Sequence, residues 1–447
     1  MLQNSGVHRW SLKKRVTGTI ICLCIYRLLA CIPLPFIRMD VVTGMDQNNT
    51  LALFNLMTGG SMFKMTIGAL GVSPYITASI FIHLMSVMSP SLQNLQKSGF
   101  IGRRRIQRMT VALSILTSLP TGLMLLQQYQ AVGAVSSHEW YVSVVQLGLL
   151  IANGVLLSYM GMYIDDHLFG NGLSLILVTG IVSGLPTELG SAFAALNEGK
   201  TVVGQIMSDS MFVLLVLGLM LFMCWMLECG VNLPLVGSQK FIDDDEANMI
   251  QNVLPLRMLT TNVMPIILAS SIFSLPLMLF QTSGEASWVY LFDMTKWFSA
   301  QTWWASFGVI IYFALICLFG RYAQLIDLNE VEMSETLRKS GFIIRGLSPG
   351  RETESFLKMW MGKLNRFGSI GLCVVALAPI VVGRLFNIPS ISLLGTSLIL
   401  IINIIRDTWN NYKIERHGLE YTQLLPILES KRKGDAFCLL EKARLNG

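Results

Sequence analysis

The sequence predicts an all-α polytopic membrane protein with ten transmembrane helices in two inverted five-helix halves. Of its 447 residues, 53% are hydrophobic and only 13% are charged, whereas soluble domains carry about 25% charged residues. The apolar residues recur in runs of roughly 20, which is the length of helix that crosses a bilayer. A polar stretch at 187–204 separates five such runs from five others. This division predicts an inverted repeat, with the functional path between the halves.

The ten apolar runs are the expected spans. Gly or Pro interrupts several of them, which neighbouring helices can accommodate. The first run has no small-residue cleavage site after it, so we expect a retained span rather than a signal peptide. The spans are expected at 16–37, 74–93, 106–127, 141–163, 173–190, 206–229, 258–280, 302–325, 367–386 and 391–409.

Basic residues are distributed unequally between the two sides of the predicted membrane. One side holds the cluster GRRRIQR at 102–108, the large loop at 326–366 and the basic tail at 410–447. Lys and Arg accumulate on the cytoplasmic side, so both termini are expected in the cytoplasm of a multi-pass cell-membrane protein. This asymmetry accounts for most of the net charge of +6 without nucleic acid as a partner. The cluster at 102–108 is either a topology anchor or a docking site.

The segment 51–68, LALFNLMTGGSMFKMTIG, fits neither a span nor an ordinary loop. It is too short and too polar to cross the bilayer, yet too apolar for an exposed connection. Irregular backbone at membrane depth is allowed only where it is buried in protein or lines a water-filled cavity. We therefore expect a re-entrant segment.

Catalytic sequence patterns are absent. The chain contains no GxxxxGK[ST], HExxH or GxSxG pattern, so we expect no enzyme activity and no cofactor. The eight cysteines have no paired spacing, which argues against a disulfide framework or a metal site. Arg27 and His83 are the clear ionisable residues at mid-membrane depth. Transporters usually place several such residues at the substrate site, so their scarcity favours a conduit, and Arg27 is expected to face the bundle interior.

Seven stretches of the chain form an ordered set of motifs. They are YRLLACIPLP at 26–35, LGVSPYITASIFIH at 70–83, GRRRIQRMT at 102–110, GNGLSLILVTGIVSGLP at 170–186, NVMPIILASSIF at 262–273, LRKSGFIIRGLSPGRET at 337–353 and LGTSLIL at 394–400. In this order, and over nearly the whole chain, they resemble the SecY family, the central subunit of the bacterial translocon. The third motif corresponds to the basic turn before that family's third span.

The resemblance implies two halves, 1–190 and 191–409, that close around an hourglass pore, with a cytosolic tail at 410–447. In the family, a ring of aliphatic side chains narrows the pore, and a re-entrant helix, here within 51–68, plugs it. A hydrophobic constriction excludes water and ions, and ordinary helix packing is the alternative role for each ring residue. The resemblance puts the ring at Val72, Ile76, Leu173, Leu177, Ile267 and Leu400, and the small plug residues at Gly59, Gly60 and Ser61.

A side exit towards lipid is also implied, between the second and seventh spans. Ser79, His83, Ser270 and Ser271 are expected near this gate. The family usually has Gln where this chain has His83. A neutral imidazole could hydrogen-bond across the closed gate, with sensitivity to pH. A histidine satisfied within the bundle is the alternative.

The resemblance further implies a SecA-type ATPase on the cytosolic loops, SecE-like small subunits, a secretory preprotein and membrane lipid as partners. The loop after the sixth span is basic in the family but acidic here, and the family's GIRPG is GLSPG at 346–350. The residues expected at the motor-docking surface are Arg345, Ser348, Arg351, Asp243, Asp244, Asp245 and Glu246. Charge reversal changes partner choice more readily than fold. The chain therefore looks like the accessory SecY of Gram-positive bacteria, which works with a dedicated SecA and exports serine-rich glycosylated adhesins.

Other interpretations remain open at this level. The acidic loop tip could be solvated without any partner. The chain could be the housekeeping SecY of general secretion. It could also be an inverted-repeat solute transporter, or an amphipathic scaffold that has no pore.

Overall fold

The structure is a computed structural model. It describes residues 12–38, 55, 58–89, 91–92, 95, 100–131, 133–135, 140–197, 202–237, 252–258, 265–266, 268–270, 272–273, 291–292, 297, 306–327, 330–344, 346–348, 350–385 and 397–416. The helices are α1 (Leu12–Leu29), α2 (Ser73–Met88), α3 (Phe100–Ala131), α4 (Trp140–His167), α5 (Gly172–Asn197), α6 (Val202–Glu228), α7 (Phe307–Asp327), α8 (Glu330–Lys339), α9 (Arg351–Leu385) and α10 (397–416), with a 3₁₀ helix at Ile67–Leu70. The strands are β1 (Gly230–Gly237), β2 (Asn252–Arg257) and β3 (Phe342–Ile344).

Several of these helices have the length and composition of membrane spans. Within the described part of the chain, five qualify: Arg104–Gln127, Trp140–His167, Gly172–Ala194, Gln205–Glu228 and Arg351–Gly383. Large apolar side chains on α6 are exposed, with Met207 at 72% and Leu214 at 73% of their full accessible area. Such exposure has no hydrophobic penalty where the neighbour is lipid. The fold is therefore that of a helical multi-pass membrane protein.

The first helix is shorter than the sequence analysis predicts. It ends at Leu29, whereas the apolar run continues to Ile37. Pro33 and Pro35 explain the difference, because proline has no N–H to donate and disfavours helical backbone in the residue before it. The prediction of a span through Ile37 is wrong at its C-terminal end.

Other helices extend beyond their apolar runs. The basic cluster at 102–108 lies inside α3 rather than in a turn before it, and α5 continues past the predicted end at 190 to Asn197. The last helix runs through 416, into the stretch expected to be a tail. Hydropathy locates the part of a helix inside lipid, while its polar ends continue into water.

The apolar core has three main parts. The first joins α2, α5, α6, α7, α9 and α10 with the helical residues of 265–273, and includes Ile80, Ile181 and Ile316. The second joins α1, α2, α3, α4 and α5. The third joins the 58–66 segment and the 3₁₀ helix to α3 and α4. Helices α2 and α5 contribute to both the first and the second part. They therefore lie where the first group of helices, α1 to α5, adjoins the second group, α6, α7, α9 and α10.

A small three-stranded sheet packs against α8 and the polar beginning of α9. The strand order is β2-β1-β3, and both pairings are antiparallel. Leu233 of β1 and Leu256 of β2 are buried together with Leu357 of α9. Asn232 and Pro234 are exposed on the other face of β1, as the alternation of side chains along a strand requires. The region expected as a long loop is therefore partly a packed subdomain.

Candidate functional site

The segment 58–66 is folded into the protein rather than exposed. The amide of Ile67 donates to the carbonyl oxygen of Ile32 at 2.9 Å. The hydroxyl of Tyr129 on α3 donates to the carbonyl oxygen of Met62 at 2.7 Å. These bonds satisfy irregular backbone inside the bundle, as membrane depth requires. The described part of the expected re-entrant segment is thus buried in protein.

Within the segment, one side chain organises the turn. The side-chain oxygen of Asn55 accepts from the amide of Phe63 at 2.9 Å. Its carbonyl oxygen accepts from the amide of Gly60 at 2.8 Å and from the Thr58 hydroxyl at 3.0 Å. Asn side chains commonly replace backbone partners in this way. Hydrogen bonds within the turn at 55–63 therefore stabilise its conformation.

Gly59 is the closest point of contact between this segment and α5. Its φ of +69° lies in the left-handed region. A Cβ atom there would lie 2.5 Å from the carbonyl oxygen of Gly180 and 2.7 Å from Nη1 of Arg27, and would also collide with the Ser183 hydroxyl. Only glycine combines this backbone conformation with so close an approach.

Arg27 points towards the same place. It lies at the end of α1, and its Nη1 atom is buried without a hydrogen-bond partner among the described residues. The interior orientation expected from the sequence is therefore observed. A buried guanidinium N–H that lacks an acceptor is unfavourable, so the packing of the 58–66 segment against Arg27 is not optimal at this atom.

Three of the expected ring residues lie in one hydrophobic cluster. Leu177 of α5 and Leu400 of α10 are buried in it, and Ile76 of α2 packs against it. Ile76 also packs against the second part of the core. Aliphatic side chains from three helices thus belong to one cluster where the two groups of helices adjoin, and such a cluster excludes water.

The remaining ring residues are placed differently. Val72 is buried at the start of α2, and Leu173 of α5 packs against the same part of the core. The two side chains therefore lie in the first group of helices. Ile267 lies outside the described residues.

The expected gate residues are only partly described. Ser79 is half-buried on α2, and Ser270 is buried. Position 83 is helical, but its side chain lies outside the described residues, as does Ser271. Ile80 of α2 and Leu268 share one hydrophobic cluster, so the two sides of the expected gate adjoin.

The expected docking surface is built around the sheet. Strands β1 and β2 form a hairpin, and the acidic residues from Asp243 to Glu246 belong to its connection, which lies outside the described residues together with Arg345. Arg351 is exposed at the first position of α9. The acidic residues therefore follow one end of the hairpin along the chain.

Ser348 has a structural role that the sequence pattern did not indicate. Its hydroxyl donates to the carboxylate of Glu352 at 2.5 Å, and its amide donates to the same oxygen at 3.2 Å. Glu352 lies in the polar first turn of α9, outside the apolar part of that helix. The hydroxyl and amide of Ser348 thus hold the Glu352 side chain against the turn that precedes α9.

No group of three or more His, Cys, Asp or Glu side chains in the described part of the chain could hold a metal ion. The described polar contacts are hydrogen bonds of the fold itself.

Comparisons with known proteins agree with this architecture. A family model described as SecY matches residues 66–409. The protein translocase subunit SecY 1 of Lactobacillus kefiranofaciens is 29% identical over 88% of this chain and 92% of its own length. The subunit SecY of Pseudomonas aeruginosa is 27% identical over 97% of both chains.

Solved structures show the same fold. A structure described as a protein-conducting channel superposes with a TM-score of 0.68 at 16% identity, over 92% of this chain and 94% of that one. Canine Sec61 in a ribosome-channel complex gives a TM-score of 0.59 at 16% identity, over 91% of this chain and 94% of that one.

The bond between Tyr129 and Met62 leads to a prediction about the anchoring of the 58–66 segment. Replacing Tyr129 with Phe removes one of the two donors to the buried carbonyl oxygen of Met62, which still accepts from the amide of Met65 at 3.1 Å. The loss of one such bond costs about 0.5–1.5 kcal/mol. We expect a lower thermal unfolding temperature in detergent and faster trypsin cleavage after the exposed Lys64. Tyr159→Phe, at an exposed position of α4, is the control. Cleavage of Tyr129→Phe at the wild-type rate would contradict this anchoring role.

Proposed function

This chain belongs to the SecY family, and from that premise we propose how its channel works and which motor drives it. Family and fold make it a protein-translocation channel in the cell membrane and not an enzyme. The proposal is that unfolded secretory protein passes between two five-helix halves, with energy from a SecA-type ATPase. In the described chain, the connection between α5 and α6 is the boundary that best fits such halves.

The aliphatic cluster supports the proposed pore constriction. Ile76, Leu177 and Leu400 come from α2, α5 and α10 and meet where the two helix groups adjoin. A tight aliphatic contact blocks water and ions in the resting channel and yields to a passing chain, because it has no directional bonds to break. Val72, Leu173 and Ile267 complete the proposed ring.

The 58–66 segment is the proposed plug. It is irregular, buried beside α1, α3 and α5, and in close contact with α5 at Gly59. Few hydrogen bonds join it to the helices, so its displacement is feasible without unfolding the bundle. A solved SecY structure with a TM-score of 0.63 is described as having a plug domain that stabilises the closed channel and maintains the membrane seal. We propose the same role here, with Gly60 and Ser61 in the turn.

Two neighbouring glycines test the plug. Gly59→Ala and Gly60→Ala both place alanine at a positive φ, but only the first collides with α5, since the Cβ at Gly60 meets nothing closer than 4.0 Å. Overpacking costs about 1–3 kcal/mol, so we expect Gly59→Ala to raise the resting ion conductance of proteoliposomes roughly fivefold or more. Gly60→Ala should conduct close to wild type. Equal conductance in both variants would contradict the seal.

The gate is proposed between α2 and the helical residues of 265–273, with Ser79, His83, Ser270 and Ser271 beside it. Ile80 of α2 and Leu268 belong to one hydrophobic cluster, which supports this location. Polar side chains at such a contact hold it closed by hydrogen bonds and yield to an apolar signal helix. The imidazole of His83 takes the role that a Gln has in the family.

His83 can be tested with two substitutions. His83→Leu removes the hydrogen-bonding group, so we expect a higher ion leak and transport of preproteins with defective signal sequences. His83→Gln keeps a hydrogen-bonding group and should behave as wild type. The measurements are resting conductance and export of a signal-sequence mutant. Unchanged stringency in His83→Leu would refute a role in closing the gate.

The charge of the hairpin supports a dedicated motor. Asp243, Asp244, Asp245 and Glu246 stand where the family carries basic residues. An acidic loop rejects a partner surface that is itself acidic, because like-charge contacts cost several kcal/mol. Ser348 stands where the family has arginine, and here it bonds to the Glu352 carboxylate. Arg345 and Arg351 are the basic residues that flank this motif in the sequence. We therefore propose an accessory SecA as the motor and serine-rich glycosylated adhesins as cargo.

The housekeeping SecY of general secretion is the second candidate, and the same experiment separates the two. Proteoliposomes with this chain and its small SecE-like subunits are supplied with either motor, ATP and a preprotein. We expect the accessory SecA to support protease-protected import, and the housekeeping SecA to bind weakly. Neutralising the four acidic residues with Asn and Gln should reverse this preference.

A control for general charge effects is Glu335→Gln, at an exposed position of α8. It should leave the motor preference unchanged. Equal productive import with both motors and wild-type channel would refute the dedicated partner. Absence of import with either motor would refute the channel function itself. A solute transporter is not favoured, since family and fold both indicate a protein channel.

A further inference from the structure

The Arg15 side chain joins three distant parts of the chain. Its Nη1 and Nη2 atoms donate to the two carboxylate oxygens of Glu415, each at 3.0 Å. Its Nε and Nη2 atoms donate to the carbonyl oxygen of Leu168 at 3.1 and 2.6 Å. Arg15 belongs to α1, Leu168 to the turn between α4 and α5, and Glu415 to α10. A planar guanidinium that bonds a carboxylate through two parallel N–H groups is a strong and directional contact.

The turn that accepts from Arg15 is held on both sides. The hydroxyl of Thr19 on α1 donates to the carbonyl oxygen of Phe169 at 3.2 Å and accepts from the Phe169 amide at 3.1 Å. The ring of Phe169 meets Tyr412 of α10 edge to face, with 6.2 Å between ring centres. Tyr412 stacks on Trp409 of the same helix. The contact between α10 and the first helices is therefore wider than one ion pair.

Two other ion pairs in the described chain are of a different kind. Arg104 and Asp166 join α3 to α4, and Glu335 and Lys339 are neighbours on α8. Neither crosses from the first group of helices to the second. The pair between Arg15 and Glu415 does, and its side chains are only 17% and 32% exposed. Partial burial strengthens the pair, while the remaining exposure allows water to solvate both groups when it opens.

We propose that Arg15, Leu168 and Glu415 form a clasp that holds the two halves of the resting channel together at their cytosolic ends. This rests on the proposed movement of two halves around a pore. When α10 moves away, Arg15 keeps its two bonds to Leu168 and stays oriented, and Glu415 passes into water. The clasp is therefore built to reclose. It biases the channel towards the closed state without locking it.

Charge exchange tests the clasp. The variants are Glu415→Gln, Arg15→Glu, Glu415→Arg and the double exchange that combines the last two. Each is made in the full-length chain and reconstituted into liposomes without motor or preprotein. We expect each single variant to raise resting ion conductance roughly fivefold. The double exchange should restore it only in part, because it recovers the ion pair but places a carboxylate, which cannot donate to Leu168, at position 15. Lys13 and Lys14 keep the basic flank of α1 in every variant. Conductance at the wild-type level in all the single variants would overturn the proposal.

The pair between Arg104 and Asp166 provides the matched control. Exchanging Arg104 and Asp166 alters the same kind of ion pair, but both residues belong to the first group of helices. Resting conductance should therefore not change. Thermal unfolding temperatures are measured for all variants. A loss of thermal stability in Glu415→Gln with unchanged conductance would show a merely structural pair and refute the clasp. If the wild-type channel imports preprotein and the clasp variants have wild-type resting conductance, the clasp alone is refuted. If the wild-type channel does not import preprotein, the proposed function is refuted.

Discussion

The absence of water from the bilayer interior is the constraint on which this structure depends. Every backbone N–H and C=O at that depth needs a partner inside the protein. Helices satisfy this condition by themselves, but the segments 30–38 and 58–66 do not form regular helices. They satisfy it together, since the amide of Leu34 donates to Met65 at 3.0 Å and that of Ile67 to Ile32 at 2.9 Å. This pairing, together with the bonds from Tyr129 to Met62 and from Gln146 to Pro35, satisfies irregular backbone inside the bundle.

This pairing also determines which residues fit around the irregular segment. Gly68 approaches Ala30 so closely that a Cβ would lie 3.0 Å from its Cα. Gly59 meets α5 in the same manner. At these glycines, the backbone of the segment approaches neighbouring backbone directly, without interlocking side chains. Most of the other hydrogen bonds of the segment stay within its own turn. A segment packed in this way has its backbone bonded both to its own turn and to its neighbours.

The small sheet and the beginning of α9 depend on different contacts from those of the helix bundle. The hydroxyl and amide of Ser348 both donate to the carboxylate of Glu352, so this serine is used within the fold. On one face of the sheet, Leu233 and Leu256 are buried together with Leu357 of α9. On the other face of β1, Asn232 and Pro234 are exposed. The apolar packing of the sheet therefore does not depend on its exposed face.

The sequence by itself determined the membrane class, the helical fold, the family and the segment that could not span, because hydropathy and ordered motifs are local properties. It placed the ends of helices poorly: α1 stops at Leu29 because of two prolines, and α3, α5 and the last helix continue beyond their apolar runs. It correctly predicted that Arg27 faces the interior, but it did not predict that Arg27 lies beside Gly59. Only the tertiary structure decided contacts such as that of Arg15 with Glu415, because packing alone brings together residues from opposite ends of the chain.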